Sequence, residues 1–171
     1  MAETNFDYEK TTPSNVYTCT IDGSIDAAWA LVRSFGTWNV WTKVFADVHL
    51  IGDGVDKIGC IREFSTCTLN KTYQEQLNAQ DEQTRTLKYE MISIVPPLEG
   101  LVDVFINVSL TPKSENQFEV SETAWNVYDD KATPEFKAEL KEIQNNGAKC
   151  TYGDLATYLA QQSKQQADAS N

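Results

Sequence analysis

Polar and apolar positions alternate with a period of two from Asn15 to about Val127, then recur every three to four residues towards the C-terminus. In the stretch KIGCIREFS, Ile58, Cys60, Arg62 and Phe64 oppose Lys57, Gly59, Ile61, Glu63 and Ser65. Further on, Tyr73, Glu75, Leu77 and Ala79 oppose Thr72, Gln74, Gln76, Asn78 and Gln80, and Leu87, Tyr89 and Met91 oppose Thr86, Lys88 and Glu90. Each run predicts a half-buried strand with one wet and one covered face. The same pattern predicts strands at Asn15 to Ile21, at FADVHLIG, at LVDVFINVSL (Val102, Val104, Ile106, Val108 and Leu110 inside) and at QFEVSETAWNV (Phe118, Val120, Glu122, Ala124 and Asn126 inside). Turns are expected at Asp22 to Ser24, at Gly52 to Asp56 and over TPKSEN, and the Pro96-Pro97 segment is a rim loop, because proline cannot serve an interior strand.

Two stretches break the alternation before the central strands. Ser24 is an N-cap, and Ile25, Ala28, Trp29, Val32 and Phe35 form one helical stripe, with Gly36 as its stop. TWNVWTKV predicts a second short helix with Trp38 and Trp41 on one side. At the other end, Thr133-Pro134-Glu135 starts a helix whose apolar positions are Phe136, Leu140, Ile143, Gly147, Cys150/Thr151, Leu155 and Tyr158. Gly147 and Gly153 are costly inside it, and are compatible with close packing or with a bend. The order is strand, two helices, six strands, long helix. Short connections make the strands antiparallel. The expected class is α+β: a seven-stranded antiparallel sheet wrapped around a helix from about Thr133 to Gln161, with a pocket between them. Residues 1–14 are read as a flexible arm, 15–161 as a single domain and 162–171 as a flexible tail.

Composition narrows the partners. A chain of 171 residues with 41% hydrophobic content builds a core of its own. The net charge of −11, with no basic cluster, argues against nucleic acid and against anionic membranes. No apolar run is long enough for a membrane span and no apolar signal core opens the chain, so the expected location is cytoplasmic. Cys19, Cys60, Cys67 and Cys150 lack metal spacing and read as reduced thiols. The single histidine, His49, falls on the wet face of its strand, so no metal site is expected.

Two opposite charges, Arg62 and Glu75, fall on the covered face of neighbouring strands, and Glu122 falls inside as well. A buried carboxyl is pushed towards neutral pKa while a guanidinium pulls it back, so two carboxyls near one arginine would separate into an acid and a base.

The stretches AWALVRSFGTWNVW, VDKIGCIREF and EQLNAQDEQTRTLKYEM resemble the START/SRPBCC helix-grip superfamily (birch-pollen-allergen-like fold), closest to its polyketide cyclase/dehydrase and lachrymatory-factor-synthase-like branch. The resemblance spans about residues 15 to 160. It rests on Gly59-Cys60-Ile61-Arg62 and on Glu75-Gln76-Leu77 before Asp81. It implies that Arg62 and Glu75 stand where that branch has its proton-transfer arginine and glutamate. Val102 stands where the lachrymatory-factor synthase has a tyrosine. The abscisic-acid receptors of the superfamily are less similar: Thr66-Cys67-Thr68-Leu69 replaces their gate, Pro96-Pro97 their latch, and Thr42, beside Lys43, their lysine.

One fold hosts many functions, and three readings stay open. In the first, the chain is a cofactor-free cyclase, dehydratase or isomerase of lyase or isomerase type for a small apolar or polyketide-like molecule. Arg62 then holds an oxyanion or carbonyl, Glu75 moves a proton and Glu122 is a second carboxyl. In the second, it is a carrier or sensor of a lipid, polyketide or phenolic. In the third, Arg62 and Glu75 are an internal ion pair only. In the first two, Trp38, Trp41, Phe64, Tyr73, Leu77, Tyr89, Met91, Val104, Ile106, Val120, Ala124 and Asn126 contact the ligand, with Trp38, Trp41 and the Pro96-Pro97 loop at the mouth. No cofactor is expected, and the partner is a hydrophobic small molecule.

Overall fold

Strand β1 (Asn15–Asp22) leads through Ser24 into α1 (Ile25–Val32), where the Ser24 hydroxyl accepts from the Ala27 amide at 3.3 Å. A computed structural model describes residues 6–66 and 71–169 of the chain. After α1 comes a 3₁₀ helix, Phe35–Val40. Six strands then follow in sequence: β2 (Phe45–Ile51), β3 (Ile61–Thr66), β4 (Thr72–Asp81), β5 (Thr86–Val95), β6 (Leu101–Ser114) and β7 (Gln117–Tyr128). The chain ends in α2 (Pro134–Ala169). All neighbours pair antiparallel in one seven-stranded sheet of order β1-β7-β6-β5-β4-β3-β2. This is the helix-grip α+β architecture expected from the alternation. Among the described residues no helix is long and apolar enough to cross a membrane.

The covered face is continuous across the sheet. Leu77, Leu87, Tyr89, Val104, Ile106, Val108, Leu110, Phe118, Val120 and Ala124 are all buried. Helix α2 adds Leu140, Ala148, Thr151, Tyr152, Leu155 and Leu159. Three ties close the remaining side. Glu82, in the β4–β5 turn, accepts from the Trp29 indole (2.6 Å) and from Arg33 (3.0 Å). On α2, Asp154 accepts from the Thr42 hydroxyl (2.9 Å) and the Lys43 amide (2.8 Å), and the Asn126 and Gln144 amides bond reciprocally between β7 and α2.

Several local expectations change. Helix α1 stops at Val32, and Gly36 lies inside the 3₁₀ helix instead of ending α1. A Cβ there would come within 2.7 Å of Leu50 Cγ, so the glycine serves close approach. β3 begins at Ile61 rather than Lys57, which leaves Ile58 in an exposed loop. Val102 is exposed because a register shift between Leu101 and Asp103 interrupts the alternation. The turn expected over TPKSEN shrinks to Glu115 and Asn116, with strand on both sides.

Phe6, Tyr8 and Thr11, within the segment expected as an arm, contact the sheet. Phe6 stacks on Phe105 at 3.9 Å, Tyr8 meets Trp125 edge-on at 5.1 Å, and the Trp125 indole donates to the Thr11 carbonyl at 2.8 Å. They cover the outer face of β6 and β7. At the other terminus α2 continues to Ala169, past the helix end expected near Gln161, as an exposed helical extension. Residues 67–70, which include Cys67 and the gate-equivalent Thr68 and Leu69, lie outside the described residues, as do 1–5, 170 and 171.

Helix α2 runs unbroken through Gly147 and Gly153, and neither glycine has a neighbour within 4 Å of where a Cβ would stand. Close packing therefore does not account for them. Gly153→Ala is therefore expected to stabilise the fold by about 0.5–1 kcal/mol, read as a higher urea midpoint at unchanged slope.

Candidate functional site

Arg62 and Glu75 are direct cross-strand partners of the β3–β4 pair. Arg62 Nε donates to Glu75 Oε2 at 2.8 Å, and Nη2 stands 2.6 Å from the same oxygen. Nη1 donates to the Phe35 carbonyl at 3.1 Å. The guanidinium carbon lies 4.0 Å from the ring centroids of both Phe35 and Trp38, with Phe45, Phe64 and Tyr89 at 5.1, 5.3 and 5.2 Å. A flat, weakly hydrated cation is the right group to lie among aromatic faces. Arg62 is 0% and Glu75 3% exposed, so the pair is closed off from the surface. Burial raises the Glu75 carboxyl above its ordinary pKa, while the Arg62 charge and hydrogen bond act against the rise.

Glu122, on β7, is inside as expected, but its hydrogen-bond partner is not Arg62. The Tyr152 hydroxyl of α2 donates to Glu122 Oε2 at 2.6 Å. The Tyr152 ring in turn stacks on Tyr17, the cross-strand neighbour of Glu122, at 6.2 Å. Burial pushes the Glu122 carboxyl up to about 7 against the opposing Tyr152 bond, and the Glu75 charge adds to the rise. Arg62 thus reaches one of the two inward carboxyls directly, and the other is held by a tyrosine. Burial also raises the phenols of Tyr152 and Tyr89, helped by Glu122.

Glu122 combines depth with partial exposure. On the covered face and on the facing part of α2, Met91, Asn126, Ile143 and Gln144 are half-buried too. Met91, Val104 and Asn126 form one row across the sheet, in register with Glu75. At the rim, Met91, Ile94, Pro97, Leu98, Leu101 and Val104 line a cleft of ≈ 260 Å³, and the Pro97 loop forms one wall of it.

The other expected contacts divide. Phe64, Tyr73, Leu77, Tyr89, Ile106, Val120 and Ala124 are buried in the core. Phe64 and Tyr73 stack one rung beyond the ion pair, at 5.3 Å. Trp38 and Trp41 are 1% and 4% exposed, so they are core residues instead of an open mouth; Trp38 is the lid on Arg62. Asn126 is held by Gln144 and by the Tyr128 hydroxyl, which leaves it a strut between β7 and α2. Phe136 and Ile143 are only half-buried at the α2 flank, whereas Leu140 and Leu155 face the sheet as expected. Tyr152 was missed. Its signal was present: Ala148, Tyr152, Leu155 and Leu159 are spaced four, three and four residues apart. Among the described residues no three histidine, cysteine, aspartate or glutamate side chains come together as metal ligands.

Residues 13–160 match the family model described as polyketide cyclase/dehydrase and lipid transport. A comparison with curated proteins finds no match. Among solved structures, XoxI from Bacillus cereus superposes with a TM-score of 0.70 at 13% identity, covering 85% of this chain and 94% of that one. The di-domain ARO/CYC StfQ of the steffimycin biosynthetic pathway gives 0.68 at 12% identity, covering 88% of this chain and 46% of that one. Norcoclaurine synthase from Thalictrum flavum, solved with dopamine and hydroxybenzaldehyde, gives 0.64 at 18% identity, covering 86% and 85%. Identities this low establish a shared fold.

Proposed function

The chain belongs to the polyketide cyclase/dehydrase and lipid transport family, and on that footing we propose that it is a cofactor-free enzyme of cyclase, dehydratase or isomerase type. Its substrate is a small, largely apolar, polyketide-like molecule held between the sheet and α2. One arrangement carries this reading: the Glu122 carboxyl, which burial pushes up to about 7, accepts from the Tyr152 hydroxyl through one oxygen where β7 meets α2. A group of that pKa passes a proton in either direction near neutrality. Tyr152 donates to Oε2 and so favours the carboxylate; Oε1 is the atom that takes the substrate's proton. Arg62 and Glu75 work at one remove. Enclosed by Phe35 and Trp38, Arg62 fixes Glu75 beneath Met91, and the buried charges bias Glu122.

The enclosure of Arg62 is also the observation that favours a second reading, a carrier of the same class of ligand. There the ion pair belongs to the core and the cleft at Met91 only admits the molecule. Extraction of the purified protein and mass spectrometry of what it carries identifies the class of ligand. Incubation then separates the readings. The enzyme converts the extracted molecule or its precursor, and Glu122→Gln stops conversion while binding stays within about tenfold, or roughly 1.4 kcal/mol. Binding without conversion, equal in wild type and variant, leaves the carrier.

A further inference from the structure

The chain has four tryptophans, and three of their indole N–H groups have a defined acceptor. Trp29 donates to Glu82 at 2.6 Å, Trp38 to the Val32 carbonyl at 2.9 Å and Trp125 to the Thr11 carbonyl at 2.8 Å. The fourth, Trp41, is 4% exposed, and its Nε1 has no hydrogen-bond partner among the described residues. A buried donor without an acceptor has lost its water and gained nothing in return, which is why native proteins rarely keep one. Phenylalanine would fill much of the same space without the N–H group.

The position of Trp41 suggests what completes it. Thr42 and Lys43, the next two residues, are pinned to Asp154 on α2. Asp154 follows Tyr152 by two residues, so its side chain leaves α2 on a different face from the hydroxyl that holds Glu122. On its other side, Trp41 packs at 5.2 Å on Trp38, the lid over Arg62. Trp41 therefore sits between Trp38, the lid over Arg62, and the point where the chain is fastened to α2. Building on the function proposed above, we infer that the Trp41 indole donates a hydrogen bond to an oxygen of the bound molecule, so that the site selects oxygenated over purely hydrocarbon ligands. A carbonyl is the best fit, because it accepts without bringing a further donor that would need its own partner.

The test uses 1-tetralone and tetralin, two bicyclic probes of nearly equal shape that differ by a carbonyl in place of a methylene. The full chain is labelled with ¹⁵N at its tryptophans, and the Trp41 indole resonance is assigned from its contacts to the Trp38 ring and from its loss in Trp41→Phe. Tetralone is expected to bind about tenfold more tightly than tetralin and to move the Trp41 indole proton downfield, leaving those of Trp29, Trp38 and Trp125 in place. In Trp41→Phe the ratio of the two affinities falls to about one. Equal affinities for the two probes in the wild type, or a Trp41 resonance that tetralone does not move, overturn the inference and leave the ligand-binding reading intact. An upfield, ring-shifted proton unchanged by either probe means that the Trp38 face satisfies the donor, and also overturns it. Binding of neither probe removes the reading for bicyclic aromatics and the Trp41 assignment together. If Trp41→Phe does not fold, the wild-type titration with both probes still decides.

Discussion

Turnover of the cognate molecule is expected to fall by about 10²–10⁴-fold in Glu122→Gln, the usual contribution of a positioned acid or base. Glutamine keeps the shape of the side chain, and its amide oxygen still accepts from Tyr152. What it loses is the proton-accepting carboxylate. The wild-type kcat/KM should rise with pH up to about 7, where Glu122 ionises, and level off above. Tyr152→Phe removes the donor that favours the carboxylate, so its profile should break at a higher pH than the wild type's. A profile flat from pH 5 to 8 in both proteins would sink Glu122 as the proton-transfer group. The same residue also sets a stability signature. Its folded pKa lies above the ordinary 4.5, so the folded state binds the proton more tightly than the unfolded chain. That contribution is fully present below pH 4.5 and is lost as the pH rises through 7. It is on the order of 3 kcal/mol. Glu75 and Asp103, both raised by burial, contribute in the same direction, and comparison with Glu122→Gln isolates the Glu122 part. The variant should lose distinctly less stability than the wild type between pH 5 and 8 in urea titrations.

Arg62→Met is expected to cost about 3–5 kcal/mol, because it leaves Glu75 as a buried, unpaired carboxylate. It also removes the cation from between Phe35 and Trp38. With the arginine gone, nothing opposes the upward push of burial on Glu75, so the loss should deepen as the pH rises. The double variant Arg62→Met with Glu75→Leu should recover to within about 1–2 kcal/mol of the wild type, since apolar residues often replace a buried pair at little cost. A cost below 1 kcal/mol for the single variant at neutral pH would mean that Glu75 reaches water, contrary to its 3% exposure. The pair of variants also bears on function. If the double variant is stable and still turns over substrate, Arg62 and Glu75 are scaffold and the chemistry rests with Glu122.

Much of the covered face was legible because a strand fixes side-chain direction locally. Alternation alone placed Arg62, Glu75 and Glu122 inside, and put Tyr89, Ile106, Val120 and Ala124 beside them. It failed where the ladder is irregular. Val102 was assigned inward, and the shift at Leu101/Asp103 turns it out; Ile58 was counted as strand, and the chain around it is loop. Periodicity cannot register a bulge, because a bulge is a property of two strands together. The long helix was legible as an element, but its contact stripe was only partly so. Leu140 and Leu155 were read correctly, whereas Tyr152 was passed over between Thr151 and Leu155. The contacts of the N-terminal segment were not legible for a different reason. Phe6 and Tyr8 stand in a polar stretch, and only the paired Phe105 and Trp125 on the outer face give them something to pack on.

By itself, the sequence determined the class of fold, the order of its elements and which charged side chains point inward, because each of these follows from local periodicity and short connections. Only the tertiary structure decided the partners. Arg62 meets Glu75 because the β3–β4 register places them opposite one another, across a connection whose length left that register open. Glu122 meets Tyr152 because α2 packs over β7 there, and Asp154 of the same helix fastens the residues that follow Trp41, whose indole N–H has no partner among the described residues. Contacts between elements distant in sequence depend on how curvature, register and helix placement combine, and no run of neighbouring residues encodes that combination.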